Sequence, residues 1–171
     1  MEKTLKILNE LERSGLITKY AIGGAIAVLF YAEPVLTYDM DVFCFLPEET
    51  ERLVTLSPIY AYLKRKGYRQ DKEHILIEGV PVQFIPAYND LVTEAVGQAV
   101  ETKFRRTKTR VLRLEHLLAI VLQTDRPKDR ARLPYLLDQA KVDQPALARI
   151  IKRHGLEAKW KKFKRINHEN E

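Results

Sequence analysis

Residues 22–45 read IGGAIAVLFYAEPVLTYDMDVFCF, and this stretch decides the fold. Gly23-Gly24 follows the strand-like run LITKYAI (residues 16–22) and precedes AIAVLFYA (residues 25–32), which is apolar all round, as a short buried helix is. Glu33-Pro34 closes that helix, because proline disfavours helical geometry in the residue before it. TYDMDVFCFLP (residues 37–47) then reads as a strand stopped by Pro47. Its second half is apolar on both faces, which places it in the middle of a sheet covered on both sides.

Upstream, Leu5, Leu8 and Leu11 recur at helical spacing in an amphipathic helix over residues 2–14 that ends at Gly15. Downstream, residues 48–67 follow a helical pattern, with Ser57-Pro58 starting a second segment that Gly67 stops. YRQDKEHILIEG (68–79) and VPVQFIPA (80–87) read as two strands joined at Gly79, with Pro81 suited to an edge or a strand end. DLVTEAVGQAV is a short helix, and ETKFRRTKTRVL (101–112) is a basic two-stranded excursion. From Leu114 onward everything is helical: EHLLAIVLQT, DRARLPYLLDQA with a restart at Pro134, PALARIIKRHG and EAKWKKFKRI, with residues 166–171 fraying. The expected class is α+β, a mixed β-sheet with flanking helices followed by a helical C-terminal section. Residues 1–98 form the α/β core, and residues 99–171 form a basic, mainly helical section packed on it.

The chain has 171 residues, 46% of them apolar and 30% charged, enough to bury a single core and too apolar for disorder. No apolar run approaches the roughly 20 residues that span a bilayer, and MEKTLKILNELERSG lacks the apolar core of a secretory signal, so a cytoplasmic protein with no membrane partner is expected. The one cysteine, Cys44, lies in the apolar run VFCFL, and the four histidines show no zinc spacing. The net charge of +6 hides an asymmetry: residues 1–98 carry 10 basic and 14 acidic side chains, whereas residues 99–171 carry 19 and 9. A block this basic concentrates phosphates, whether on nucleic acid or on a nucleotide.

Asp39 and Asp41 lie two apart in a strand, so both carboxylates point to one face about 7 Å apart along the chain, a spacing that suits a divalent cation held between them. Phe43 and Phe45 continue that face, which puts the carboxylates at the solvent end of a buried strand. The Gly23-Gly24 junction between strand and helix presents backbone amides to a phosphate, or is simply a tight turn with close helix-to-sheet contact. An anion cradle beside a pair of carboxylates is the arrangement that holds a magnesium-nucleoside triphosphate, with manganese as the alternative ion. Arg126, Lys128, Asp129, Arg130 and Arg132 flank a helix start after the apolar LLAIVLQT, where a cation can neutralise charge on phosphates or merely form surface ion pairs. Trp160, among Lys159, Lys161, Lys162 and Lys164, packs the last helix onto the body or stacks on a base.

IGGAIAVLFYAEPVLTYDMDVFCF resembles the signature of the polymerase-beta-type nucleotidyltransferase superfamily: Gly-Gly or Gly-Ser, a helix, then Asp-x-Asp on the next strand. More narrowly, GVPVQFIPAYNDLVTEAV, RVLRLEHLLAIVLQTDRPKDRARL and LARIIKRHGL resemble the small bacterial nucleotidyltransferases related to toxins of type IV toxin-antitoxin systems, over residues 18–157. The resemblance implies that Asp39 and Asp41 bind magnesium and that Gly23 and Gly24 contact the triphosphate. Lys128 and Asp129 would lie near the nucleotide and join Asp39 and Asp41 as catalytic residues, and Arg126 and Gln83 are expected to contact the nucleotide. A nucleoside monophosphate would pass to a hydroxyl of RNA, such as tRNA, or of a protein, and an antitoxin-like protein would be a partner. The superfamily usually carries a third carboxylate on a neighbouring strand. Here that strand reads VPVQFIP with Gln83 at its centre, and a carboxamide is no base and only a weak, neutral ligand. Either Glu78, five residues earlier, is recruited or the site is incomplete. In the second case the chain is a nucleotide- or RNA-binding module on the same fold.

Overall fold

The computed structural model describes residues 1–31, 39–47, 55–126 and 133–168. Its strands are β1 (Lys19–Ile22), β2 (Met40–Phe45), β3 (Arg69–Asp71), β4 (His74–Ile77), β5 (Val80–Pro86), β6 (Val100–Phe104) and β7 (Thr107–Val111). They form one mixed sheet of order β3-β4-β5-β2-β1-β7-β6, so β2 is its central strand, as its two-sided apolar pattern requires. β2 runs antiparallel to β1 and parallel to β5, in a register that sets Met40 beside Val82 and Asp41 beside Gln83.

Strand alternation sorts the residues of β2 onto two faces. Met40, Val42 and Cys44 share one with Tyr20, Val82 and Phe84, all buried. Two helices cover it: α1 (Glu2–Arg13), which buries Leu5, Leu8 and Leu11, and α3 (Ser57–Arg65). The Tyr20 hydroxyl donates to Asn9 Oδ1 of α1 at 2.8 Å, and Tyr60 of α3 meets Phe84 edge-on at 6.2 Å. Cys44 is sealed in this layer, and burial pushes its thiol up to about 12. The other face carries Asp41 and Phe43. It lies under α2 (Gly24–Val28), α4 (Asp90–Gly97) and α5 (Leu114–Thr124). Against these stack α6 (Leu133–Gln139), α7 (Gln144–Arg153) and α8 (Glu157–His168).

The α4–α5–α7 contact is fastened by Glu94. It accepts hydrogen bonds from His116 at 3.2 Å, Arg153 at 2.5 Å and His154 at 2.8 Å. Burial by itself would raise the Glu94 carboxyl, but the bonds from Arg153, His154 and His116 outweigh it and hold the group down to about 2. His116 is pushed below its ordinary value by burial, against the pull of Glu94.

Three elements differ from the sequence reading. Residues 68–79 are not one strand but the β3–β4 hairpin, turning at Lys72 with φ +53°. Pro81, by contrast, takes one of the two positions expected of it, the strand end, as the second residue of β5, which is flanked by β4 and β2. α2 is only five residues long, and α8 continues to His168 rather than fraying at residue 166. The expected helix over 48–56 and the Glu33-Pro34 stop lie largely outside the described residues. Among the described residues, no helix is long and apolar enough to cross a membrane.

Candidate active site

A cleft of about 460 Å³ opens on the second face at the N-terminal end of β2, within the range of small-molecule sites. Asp39, one residue ahead of β2, and Asp41, inside it, both line this cleft, as their spacing of two predicts. Gln83 joins them from β5 and Gly24 from the start of α2. Arg126, just past the left-handed cap at Asp125 that ends α5, lines it too. The apolar wall comes from Leu117, Ile120 and Val121 of α5 and from Phe43.

The two glycines do different work. A Cβ on Gly24 would sit 2.0 Å from Asp41 Oδ2, and the residue has φ +57°, so both space and backbone demand glycine against the carboxylate. Gly23 does not line the cleft. Its amide donates to the Asp41 carbonyl at 2.9 Å, and a Cβ there would meet the Phe43 ring at 2.2 Å. The phosphate contact expected of Gly23 is therefore not offered by this N–H, which is already engaged. With α2 so short, the Gly-Gly pair is first of all a close-packing device that seats the backbone on Asp41 and Phe43.

Glu78 does not complete the site. It occupies the β4–β5 hairpin turn with φ +51°, accepts a hydrogen bond from the Tyr68 hydroxyl at 2.8 Å, and lies 3.9 Å from Lys3 Nζ. That turn faces α1, away from the cleft. Lys128 and Asp129 lie outside the described residues. Trp160 stacks on Phe163 at 5.5 Å and packs against the core, while Lys159 Nζ donates to the Gln123 carbonyl at 2.5 Å. The last helix is thus held by its aromatic pair.

Two residues that the sequence reading passed over enter the cleft. His74 opens β4 next to the Ile75–Val82 pair, so strand order sets it beside Gln83, and Glu73 precedes it. His74 Nε2 lies 4.0 Å from Asp39 Oδ2 and is buried with no hydrogen-bond partner among the described residues; Nδ1 lies 3.9 Å from Glu73 Oε1. No spacing rule could have found them, because they reach the cleft only through the β3–β4 hairpin.

Among the described residues, no three His, Cys, Asp or Glu side chains come together as a metal-ligating group. The donors lining the cleft are the carboxylates of Asp39, Asp41 and Glu73, the Gln83 carboxamide and the His74 imidazole, so hard oxygens predominate. Magnesium is commonly held by one or two carboxylates, with substrate phosphates and water completing its shell. Asp39 and Asp41 fit that ion.

No protein-family model matches the chain, and no curated protein matches it. It is similar to the solved structure of ANT(2″)-Ia in complex with adenylyl-2″-tobramycin, at 15% sequence identity over 95% of each chain with a TM-score of 0.47.

Proposed function

We propose that this protein transfers a nucleoside monophosphate from a magnesium-nucleoside triphosphate to a hydroxyl acceptor. The observation that carries the reading is the convergence of Asp39, Asp41, Gln83 and Arg126 in one cleft, with Gly24 packed against Asp41 so tightly that no side chain could stand there. Asp39 and Asp41 would hold the ion, which when bound neutralises phosphate charge and polarises the phosphoryl group. Arg126, which lines the same cleft, supplies a cation for the phosphate oxygens. The acceptor oxygen attacks the α-phosphorus, the bond to the bridging oxygen breaks, and pyrophosphate leaves. The hydroxyl proton passes to one of the cleft's basic groups, which are the carboxylates and the His74 imidazole. The acceptor is a hydroxyl of RNA, such as tRNA, or of a protein, and a toxin-like role with an antitoxin-like partner follows from the resemblance of the motifs.

A second reading is favoured by a specific observation. Gln83 occupies the position beside Asp41 where a third carboxylate would stand, and Glu78 is engaged elsewhere. On that reading the chain binds the nucleotide without transferring it.

The test begins with binding. A ligand at a hundredfold excess over its Kd stabilises the native state by about 2.7 kcal/mol, so magnesium with a nucleoside triphosphate should raise Tm. Asp39→Asn with Asp41→Asn should abolish the metal-dependent part of that rise and leave the unliganded Tm equal or higher, because two neighbouring carboxylates no longer repel. A double variant that keeps the full rise refutes the site. Radiolabelled transfer from the triphosphate to bulk RNA then separates the two readings.

A further inference from the structure

On the opposite edge of the molecule, the β6–β7 hairpin lies against α1 and carries a concentration of charge that the cleft does not use. Lys103, Arg105, Arg106, Lys108 and Arg110 fall within eight residues of it, and Lys6 and Arg13 of α1 face the same groove. Two adjoining concavities, of about 570 and 770 Å³, share Asn9, Lys108 and Arg110 and so form one continuous trough along the hairpin. Acid neutralises only part of this charge: Glu12 and Glu101 also line the trough. Arg110 forms a two-toothed pair with Glu12 at 2.9 and 3.0 Å and lies 3.7 Å from Glu101, and Arg105 lies 4.0 Å from Glu2. Lys6, Lys103, Arg106 and Lys108 have no ion pair among the described residues.

The hairpin is also built against its own stability. Lys103 and Lys108 are register partners directly across the two strands, and like charges so placed repel. Its two-residue turn is Arg105-Arg106, where tight hairpins favour glycine or asparagine, and Arg105 is held at φ +54°. Neither feature serves packing, since Lys103, Arg105, Arg106 and Lys108 are all exposed. An element that breaks local rules without a structural gain is where function is to be sought. An anion in the trough would relieve the repulsion.

We infer that this trough is a docking surface for an RNA strand. The cations extend along the groove rather than surrounding one point, which matches a repeating phosphate backbone; Lys6 and Arg13 alone are separated by roughly 10 Å of helix rise. Every residue lining the walls is polar or charged, with the basic ones outnumbering Glu12 and Glu101, as suits a nucleic-acid interface, and none is an aromatic anchor of the kind that protein interfaces favour. The Thr102 hydroxyl lines the trough and makes no hydrogen bond to another described residue, leaving a donor and acceptor for a ribose 2′-hydroxyl. This inference rests on the hairpin and not on the reading of the cleft.

The test is fluorescence anisotropy of the full chain with a labelled mixed-sequence RNA of about 12 nucleotides, a length within the range that single-strand sites cover. Binding should weaken steeply between about 50 and 200 mM salt. Lys103→Gln with Lys108→Gln should cut affinity at least tenfold at low salt and make the log–log salt slope shallower by about 1.4, the value for two lost contacts to a single strand. The same variant should melt no lower than the parent, because a repelling pair is gone, and this separates lost docking from lost folding. Lys161→Gln with Lys162→Gln on α8 should bind within twofold of the parent, and so should Asp39→Asn with Asp41→Asn, which keeps this result distinct from failure of the proposed activity. Unchanged binding by the hairpin variant overturns the inference, as does an equal loss in the α8 variant. DNA of the same sequence bound equally well, or poly-glutamate bound as tightly as RNA, overturns the assignment to RNA.

Discussion

Gln83 is one side chain on which the chemistry turns. In the parallel register of β2 and β5 it stands beside Asp41, and both line the cleft, so a carboxylate at this position would join Asp39 and Asp41. Gln83→Asp should tighten magnesium and raise transfer if the missing third carboxylate limits the reaction. The same change sets a third anion among two, which should raise one carboxyl's pKa and lower the stability of the metal-free protein by about 1 kcal/mol. Isothermal titration with magnesium and a urea melt without it measure both effects; neither tighter metal binding nor lost stability would mean that Gln83 does not face the carboxylates. Glu78→Gln should leave activity unchanged, because Glu78 is committed to Tyr68 and the hairpin turn.

Among the elements, α4, α5 and α7 are tied through a single acid. Glu94 titrates at about 2 in the fold against 4.5 unperturbed, so the stability it contributes is complete above about pH 4.5 and is lost as the pH falls toward about 2. His116 is lowered from 6.5 by burial, so the unfolded chain takes up its proton first, and stability begins to fall once the pH drops below about 6.5. Both signs agree: acidification loosens this junction, histidine first and carboxylate later. Glu94→Gln should cost about 2 kcal/mol at pH 7, the scale of lost hydrogen bonds to a charged group. It should also flatten the pH dependence below 4.5 while leaving the slope near pH 6. Urea midpoints at pH 7.5, 5.5, 4.5 and 3 check this, and a variant as steep as the parent below 4.5 would relieve Glu94 of the role.

Across the whole molecule, residues 1–98 and 99–171 share one sheet, because β7 pairs with β1 at Ile22–Val111 and packs against α1. A fragment ending at residue 98 leaves β1 without β7 and exposes the faces of α4 and the sheet that α5 covers. It should show no cooperative thermal transition by circular dichroism, whereas the full chain should melt in one step; cooperative melting of the fragment would establish an independent core. Much of this architecture was legible in local pattern. The leucine spacing of α1, the two-sided apolar run of β2, the turn at Gly79 and the shared face of Asp39 and Asp41 all follow from periods of 3.6 and 2. Gln83 could be singled out because a carboxylate was expected there. Other features were not legible. The Lys72-Glu73 turn has no glycine, proline or asparagine to announce it, so the hairpin that carries Glu73 and His74 to the cleft stayed hidden, as did the Arg105 geometry. The engagement of the Gly23 amide by Asp41 depends on the pairing of β1 with β2, which sets Gly23 opposite Asp41 at the end of their antiparallel ladder. Periodicity reports which face of an element is buried, and the sequence by itself determined that much here. Which strands pair, in which direction, and which side chains from distant turns meet in one cleft are set by the joint packing of both sheet faces, and only the tertiary structure decided them.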